Sequence, residues 1–312
     1  MYEDMDFSVN EISLSNLREL SSEIGKSYDS RLCELAFIAD SVADRFSELT
    51  DSGMDAYGIL TLLSEYRILP GGADEKGARL ANADFIDSSI RYTDMASFAG
   101  LILEKLASRG IEISERDFLP EDEADELLTY VKNPLADEAF DVFSLDFDDP
   151  RVAYADSNRA ACFAVADGKV GYCILPFEES GARIPGIYSM INALELKIAA
   201  VIPVFGADAA ADMKYALVGR SFRIPKAGID TDRYLEIRLS SESAVTFTAA
   251  ALAAEYFGLD IFRLVTMPEG DEGAPASLMI LRDTGSGFTA FLAYLAIFAV
   301  SYSIVGIYEN IE

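Results

Sequence analysis

Residues 234–312 constrain this chain most, because the order of their elements points to one topology. Strand patterns run over Tyr234 to Leu239, Asp260 to Met267, Ala276 to Arg282 and Ser301 to Ile311, with helical spacing over Ser243 to Phe257 and Gly287 to Ala299. The order βαββαβ predicts a ferredoxin-like plait, four strands backed by two helices. Its second helix places Phe288, Phe291, Leu292, Leu295, Ala296 and Phe298 around most of its circumference. One sheet face does not need so much apolar surface, so a buried subunit or domain contact is expected.

Upstream, residues 127–229 read as a small α/β lobe. Short apolar strands are expected at Leu127 to Val131, Arg151 to Ala155, Val170 to Leu175, Leu196 to Phe205 and Tyr215 to Val218, with helices between them, the pattern of a parallel or mixed sheet. The third of these is expected to end at Pro176 and open into the polar run Glu178-Glu179-Ser180-Gly181, followed from Pro185 by Ile187, Met190, Ile191 and Leu194 at helical spacing. Strand, polar loop and helix N-terminus make either an ordinary turn or an anion site.

The first 110 residues read as helical. A stripe from Leu14 and Leu17 to Phe46 and Leu49 predicts one long amphipathic helix over 13–49, with Ser13 as N-cap. Further helices are expected over Asp55 to Leu69, Asp74 to Ile90 and Thr93 to Ser108, broken at Gly53, Pro70-Gly71-Gly72 and Gly110. Residues 111–126 read as a solvated acidic linker. The organisation is thus α/β and α+β multidomain: helical 1–110, linker 111–126, α/β lobe 127–229 and plait 230–312.

Charge narrows the partners. With 25 basic and 53 acidic residues the formal charge is −28, so nucleic acid and anionic membrane are excluded as partners. No histidine is present, which removes the usual neutral-pH proton shuttle and the commonest metal ligand. Cys33, Cys162 and Cys173 have no metal spacing, so neither a metal nor a cofactor is expected, and a reduced cytoplasm fits. The acidic N-terminus lacks the positive charge of a signal peptide. The 25 uncharged residues between Asp283 and Glu309 divide into a helix and a strand and lack flanking cations, against a membrane span.

Gly168 through Ser180 (GKVGYCILPFEES) resembles the prephenate dehydratase segment that ends Pro-Ile-Glu-Asn-Ser, and Leu196-Lys197-Ile198 falls where that family has its next strand. Met213-Lys214-Tyr215 through Gly219-Arg220 resembles the family's Thr-Arg-Phe motif and the strand after it. Residues 234–312 resemble the ACT regulatory domain, and Leu17-Arg18-Glu19-Leu20 with Arg31, Glu34 and Leu35 is similar to the first helix of the chorismate mutases that precede the dehydratase in bifunctional P-proteins.

The resemblance implies catalytic positions at Glu178, Ser180 and Lys214, and ligand positions at Ser180, Gly181, Lys214, Ser243 and Thr266. It also implies pairing into a homodimer through the ACT-like region, and a small anionic metabolite or amino acid as ligand. Departures are as informative. Met213 stands where the family has its catalytic threonine and carries no exchangeable proton, while Lys214 replaces an arginine fork by a point charge. Seven residues, Gly206 to Asp212, stand where the family inserts its second lobe, and seven residues make a turn. Val265-Thr266-Met267-Pro268 replaces the phenylalanine-sensing Glu-Ser-Arg-Pro, so binding of free phenylalanine is expected to be weak or absent. Together these imply a degenerate homologue of phenylalanine biosynthesis, a ligand-binding or regulatory pseudoenzyme. The alternative is an active prephenate dehydratase, or a chorismate mutase/prephenate dehydratase.

Overall fold

A computed structural model describes residues 30–59 apart from 31, 52 and 57, then 84–121, 125–205, 212–225, 232–240, 247–267, 276–283, 287–298 and 302–309. The expected N-cap Ser13 and residues 13–29 of the first helix lie outside that set, as do 60–83, Ser243 and Pro268.

Helix α1 (32–51) buries Leu35, Ala39, Val42, Ala43 and Phe46, one stripe at helical spacing, and stops at Gly53, whose φ of +89° suits a residue without a Cβ. Helix α2 (Asp84–Ser108) is a single element where two were expected. Its residues 90–93, Ile-Arg-Tyr-Thr, contain no glycine or proline to break it. Arg109 follows it and binds Asp40 at 2.9 Å and Asp44 at 2.6 Å, fastening α2 to α1.

The chain then alternates: β1 (Leu127–Tyr130), α3 (Pro134–Phe143), β2 (Arg151–Tyr154), α4 (Asn158–Ala166), β3 (Tyr172–Glu179), β4 (Ala182–Arg183), α5 (Pro185–Ala193), β5 (Lys197–Val204) and β6 (Met213–Gly219). Asn133 caps α3 by accepting from Ala136 N–H, and Pro134 takes the first turn, where no N–H is needed. The plait follows as β7 (Arg233–Ser240), α6 (Phe247–Tyr256), β8 (Asp260–Met267), β9 (Ala276–Asp283), α7 (Gly287–Phe298) and β10 (Tyr302–Glu309).

All the strands among the described residues belong to one sheet, in the order β2-β1-β3-β6-β5-β10-β7-β9-β8, with β4 paired to β3. β1 runs parallel to β2 and β3, and β5 parallel to β10; the other pairs are antiparallel. β5 and β6 are direct neighbours, with Val204 opposite Met213. The sheet is continuous across the expected boundary near residue 230. Its seam is β5 against β10, where Gly306 lies opposite Ile198. A Cβ at Gly306 would meet the Ile198 carbonyl oxygen at 2.7 Å, so only glycine lets the strands close. Gly306→Val is accordingly expected to cost about 1–3 kcal/mol, read as a lower urea midpoint.

Helices cover both faces. α3 packs on one face of the β1–β6 half, and α4 and α5 pack on the other. On the plait, α6 and α7 pack against Leu235, Ile237, Met279 and Leu281, and α1 and α2 cover them in turn. This layer accounts for the apolar surplus of α7, whose residues from Phe291 to Phe298 are all buried. The Phe98 ring of α2 lies 6.3 Å from that of Phe298. The contact inferred from the sequence is thus supplied within the chain.

Two further expectations need correction. β3 does not end at Pro176 but runs on to Glu179, because a bulge between Pro176 and Glu178 absorbs the missing N–H while β6 stays paired. The segment expected to be a solvated linker sends Phe118 and Leu119 into the core and binds Arg233 through Glu115. No helix among the described residues is long and apolar enough to cross a membrane, and the uncharged run 284–308 contains α7 and most of β10.

Candidate functional site

Two bulges build the site. In a strand, side chains alternate between faces, and one extra residue resets the phase. On β3, Pro176 lies opposite Tyr215 and Glu178 opposite Lys214, leaving Phe177 as the extra residue. Phe177 and Glu178 therefore both lie on the face that carries α5. On β8, Ile261 pairs with Leu281 and Arg263 with Ile280, so Phe262 is the extra residue and shares that face with Arg263. Each bulge presents an aromatic and a charged side chain in succession. Glu178, Phe262 and Arg263 line one cavity together with Arg183, Lys214, Tyr234, Val201, Ile280 and Tyr308, while Phe177 is buried in the core beside it.

Charges in the cavity are paired. The buried Glu178 carboxylate accepts from Arg183 Nη1 at 3.1 Å and from both terminal nitrogens of Arg263, at 3.1 and 3.3 Å. The second terminal nitrogen of Arg183 donates to Glu236 Oε2 at 2.7 Å and to the Tyr308 hydroxyl at 3.2 Å, and Tyr308 donates to the same Glu236 oxygen at 2.8 Å. The Arg183 guanidinium also lies 3.9 Å from the centre of the Phe177 ring. The hairpin between β3 and β4 is thereby anchored to β7, β8 and β10.

Burial opposes the charge on Arg183, but Glu236, Tyr308 and Glu178 outweigh it, and its pKa is raised. Burial, reinforced by the Glu236 charge, pushes the phenols of Tyr308 and Tyr188 up, away from neutral pH. They act as neutral hydroxyls. Glu236 Oε1, Arg183 Nε and the Tyr188 hydroxyl have no hydrogen-bond partner among the described residues.

Of the positions singled out in the sequence, the structure brings Glu178 and Lys214 together on neighbouring strands, both lining the cavity. Met213 lies opposite Glu179, which is exposed. Ser180 and Gly181 form the exposed turn between β3 and β4, with φ of +49° and +79°, and Ser180 N–H donates to Asp212 O at 2.8 Å. They sit beside the cavity rather than in its wall. Ser243 lies outside the described residues; Thr266 is on β8 opposite Ser277, and its side chain is outside them too. Among the described residues no group of His, Cys, Asp and Glu could hold a metal ion.

Sequence reasoning missed Arg183, Arg263, Glu236 and Tyr308. A signal was present: Glu236 and Arg263 are lone charges in the apolar strands Tyr-Leu-Glu-Ile and Ile-Phe-Arg-Leu. A charge placed there needs a buried partner.

No family model matches the sequence, and no curated protein matches it. Solved structures do. The chain is similar to prephenate dehydratases. That of Streptococcus mutans aligns at 14% identity and a TM-score of 0.47, over 60% of this chain and 99% of that one. That of Arthrobacter aurescens, a complex with L-Phe, aligns at 13% identity and 0.44, over 58% and 89%. GqqA, described as a novel type of quorum quenching acylase, aligns at 16% identity and 0.44, over 59% and 95%.

Proposed function

We propose that the chain is a degenerate relative of the prephenate dehydratases that binds or regulates rather than catalyses. The observation that carries the reading is the state of Glu178: at a position the sequence resemblance marks as catalytic, its carboxylate is committed to Arg183 and Arg263. Three others support it. Met213 offers no proton, β5 and β6 pair directly where the family inserts a second lobe, and the phenols beside the cavity are pushed away from neutral pH. Dehydration needs a cation-lined site for two carboxylates and a proton for the departing hydroxyl. Here the cations are engaged and the donor is missing.

In this reading residues 1–110 are a chorismate mutase-like helical region, 127–229 a truncated dehydratase-like lobe, and 230–312 an ACT-like region through which a cytoplasmic homodimer forms. The ligand is a small anionic metabolite or an amino acid. Purified protein incubated with prephenate should form no phenylpyruvate above the spontaneous rate, and Met213→Thr alone should not change that, because positioning is missing as well as the proton. Turnover by the unmodified protein would overturn the reading.

A further inference from the structure

We propose that the cavity where β3, β6 and β8 meet is a monocarboxylate site whose resident occupant is the chain's own Glu178, and that a small external carboxylate binds by taking its place on Arg263 and Arg183. The inference rests on the ligand-binding reading above for its meaning, and on the two bulges for its geometry.

A carboxylate with two oxygens facing a planar guanidinium is the arrangement by which proteins recognise free carboxylates. Glu178 has it, with Arg263 Nη1 on Oε2 and Nη2 on Oε1. A second guanidinium, Arg183, completes the cradle from the inside. It is fixed independently of Glu178, by Glu236 and Tyr308, so it keeps its place when Glu178 leaves. Its buried Nε has no partner among the described residues and remains a donor for a second acceptor.

The two sides of the cradle differ in access. The Arg183 side chain is 8% exposed, that of Arg263 is 30% exposed, and Phe262 is 49% exposed. Phe262 and Arg263 belong to β8, which among the described residues is the last strand of the sheet, with β9 beside it. Both side chains can swing outward without disturbing the ladder to β9, which opens the cavity from the sheet edge. The mouth is therefore an arginine and an aromatic ring, and the inner wall carries Tyr234 and Tyr308. That lining suits a carboxylate head on a small apolar body.

Exchange with an internal carboxylate makes a definite experiment. Glu178→Ala removes the occupant and leaves the cradle. Sodium acetate and propionate, titrated against sodium chloride at equal ionic strength, should raise the melting temperature of this variant saturably and that of the native protein with a midpoint at least tenfold higher in concentration, and a native protein that does not respond overturns the displacement. Glu178→Ala/Arg263→Met should lose the response. Glu178→Gln should respond between Glu178→Ala and the native protein, because its amide still fills the cradle but holds the two guanidiniums less tightly than a carboxylate. Should Glu178→Ala not fold in chloride, Glu178→Ser leaves the same room and keeps a hydroxyl for Arg263, and recovery of folding in acetate counts equally. A folded Glu178→Ala or Glu178→Ser that responds to acetate no more than to chloride overturns the proposal. So does failure of both variants to fold in either salt. Phenylpyruvate formation would overturn the non-catalytic reading without touching this result, and an absent acetate response would leave that reading standing.

Discussion

Arg183→Met is expected to destabilise the protein by about 3–5 kcal/mol, because it strips buried carboxylates of their main cation. Glu236 is fully buried and would keep only the Tyr308 hydroxyl as a donor, while Glu178 would keep Arg263 alone. Methionine fills most of the volume, so the loss measures charge rather than packing. Against a typical native stability of about 5–15 kcal/mol, this is a large fraction. Urea denaturation reads it directly. A second variant separates the unpaired charge from the loss of the arginine itself: Arg183→Met/Glu236→Leu removes both partners, and replacing a buried pair by apolar groups is often nearly neutral. The double variant is therefore expected to be more stable than Arg183→Met. Additive losses would mean that the two residues do not act as a pair.

The second large effect lies on the opposite side of the sheet. Phe291→Ala should cost about 3–5 kcal/mol, the range for emptying a well-packed aromatic site. Phe291 is fully buried in the core formed by α1, α2, α6, α7 and the plait strands, and its ring stacks with that of Tyr294 at 6.3 Å. Because α7 is covered on all sides, no side chain can collapse into the space without opening another gap. Phe37→Ala on α1 is the control: at 75% exposure it should change stability by less than about 0.5 kcal/mol. Equal losses from the two variants would show that the N-terminal helices do not seal this core in solution.

The plait was legible in the sequence for a physical reason. Each strand is a short alternating or apolar run, and each helix repeats at its own period, so local pattern and final structure agree. α2 was harder, because side-chain spacing over 74–108 suggested two helices, 74–90 and 93–108, whereas 84–108 form one. The site was only half legible. Glu178 and Lys214 were found from the motif they resemble, but of the arginines that hold Glu178 one, Arg263, arrives from 85 positions away, and the other, Arg183, is itself fixed by Glu236, 53 positions further along the chain. No local pattern reports that. Nor does sequence announce a bulge, since which residue is extra depends on the partner strand: Phe177 is defined by β6 and Phe262 by β9. Pro176 looked like a terminator, and with β6 alongside it became a place where the strand changes phase.

The position of β10 sets the order in which this molecule can be made. β10 is the last of the strands in sequence, yet it lies between β5 and β7 in the sheet. During synthesis the strands up to β6 can assemble with an unpaired β5, and the other three plait strands can assemble with an unpaired β7, but the two halves have no common strand until residues 302–309 leave the ribosome. Until then the growing polypeptide carries two open, largely apolar edges, each able to pair with a neighbouring nascent chain. Pairing β10 with β5 also closes a loop of roughly a hundred residues, among the slower kinds of contact to form. Ribosome-bound chains stopped before residue 302 should therefore depend on chaperones, and that dependence should end abruptly once β10 is free to insert.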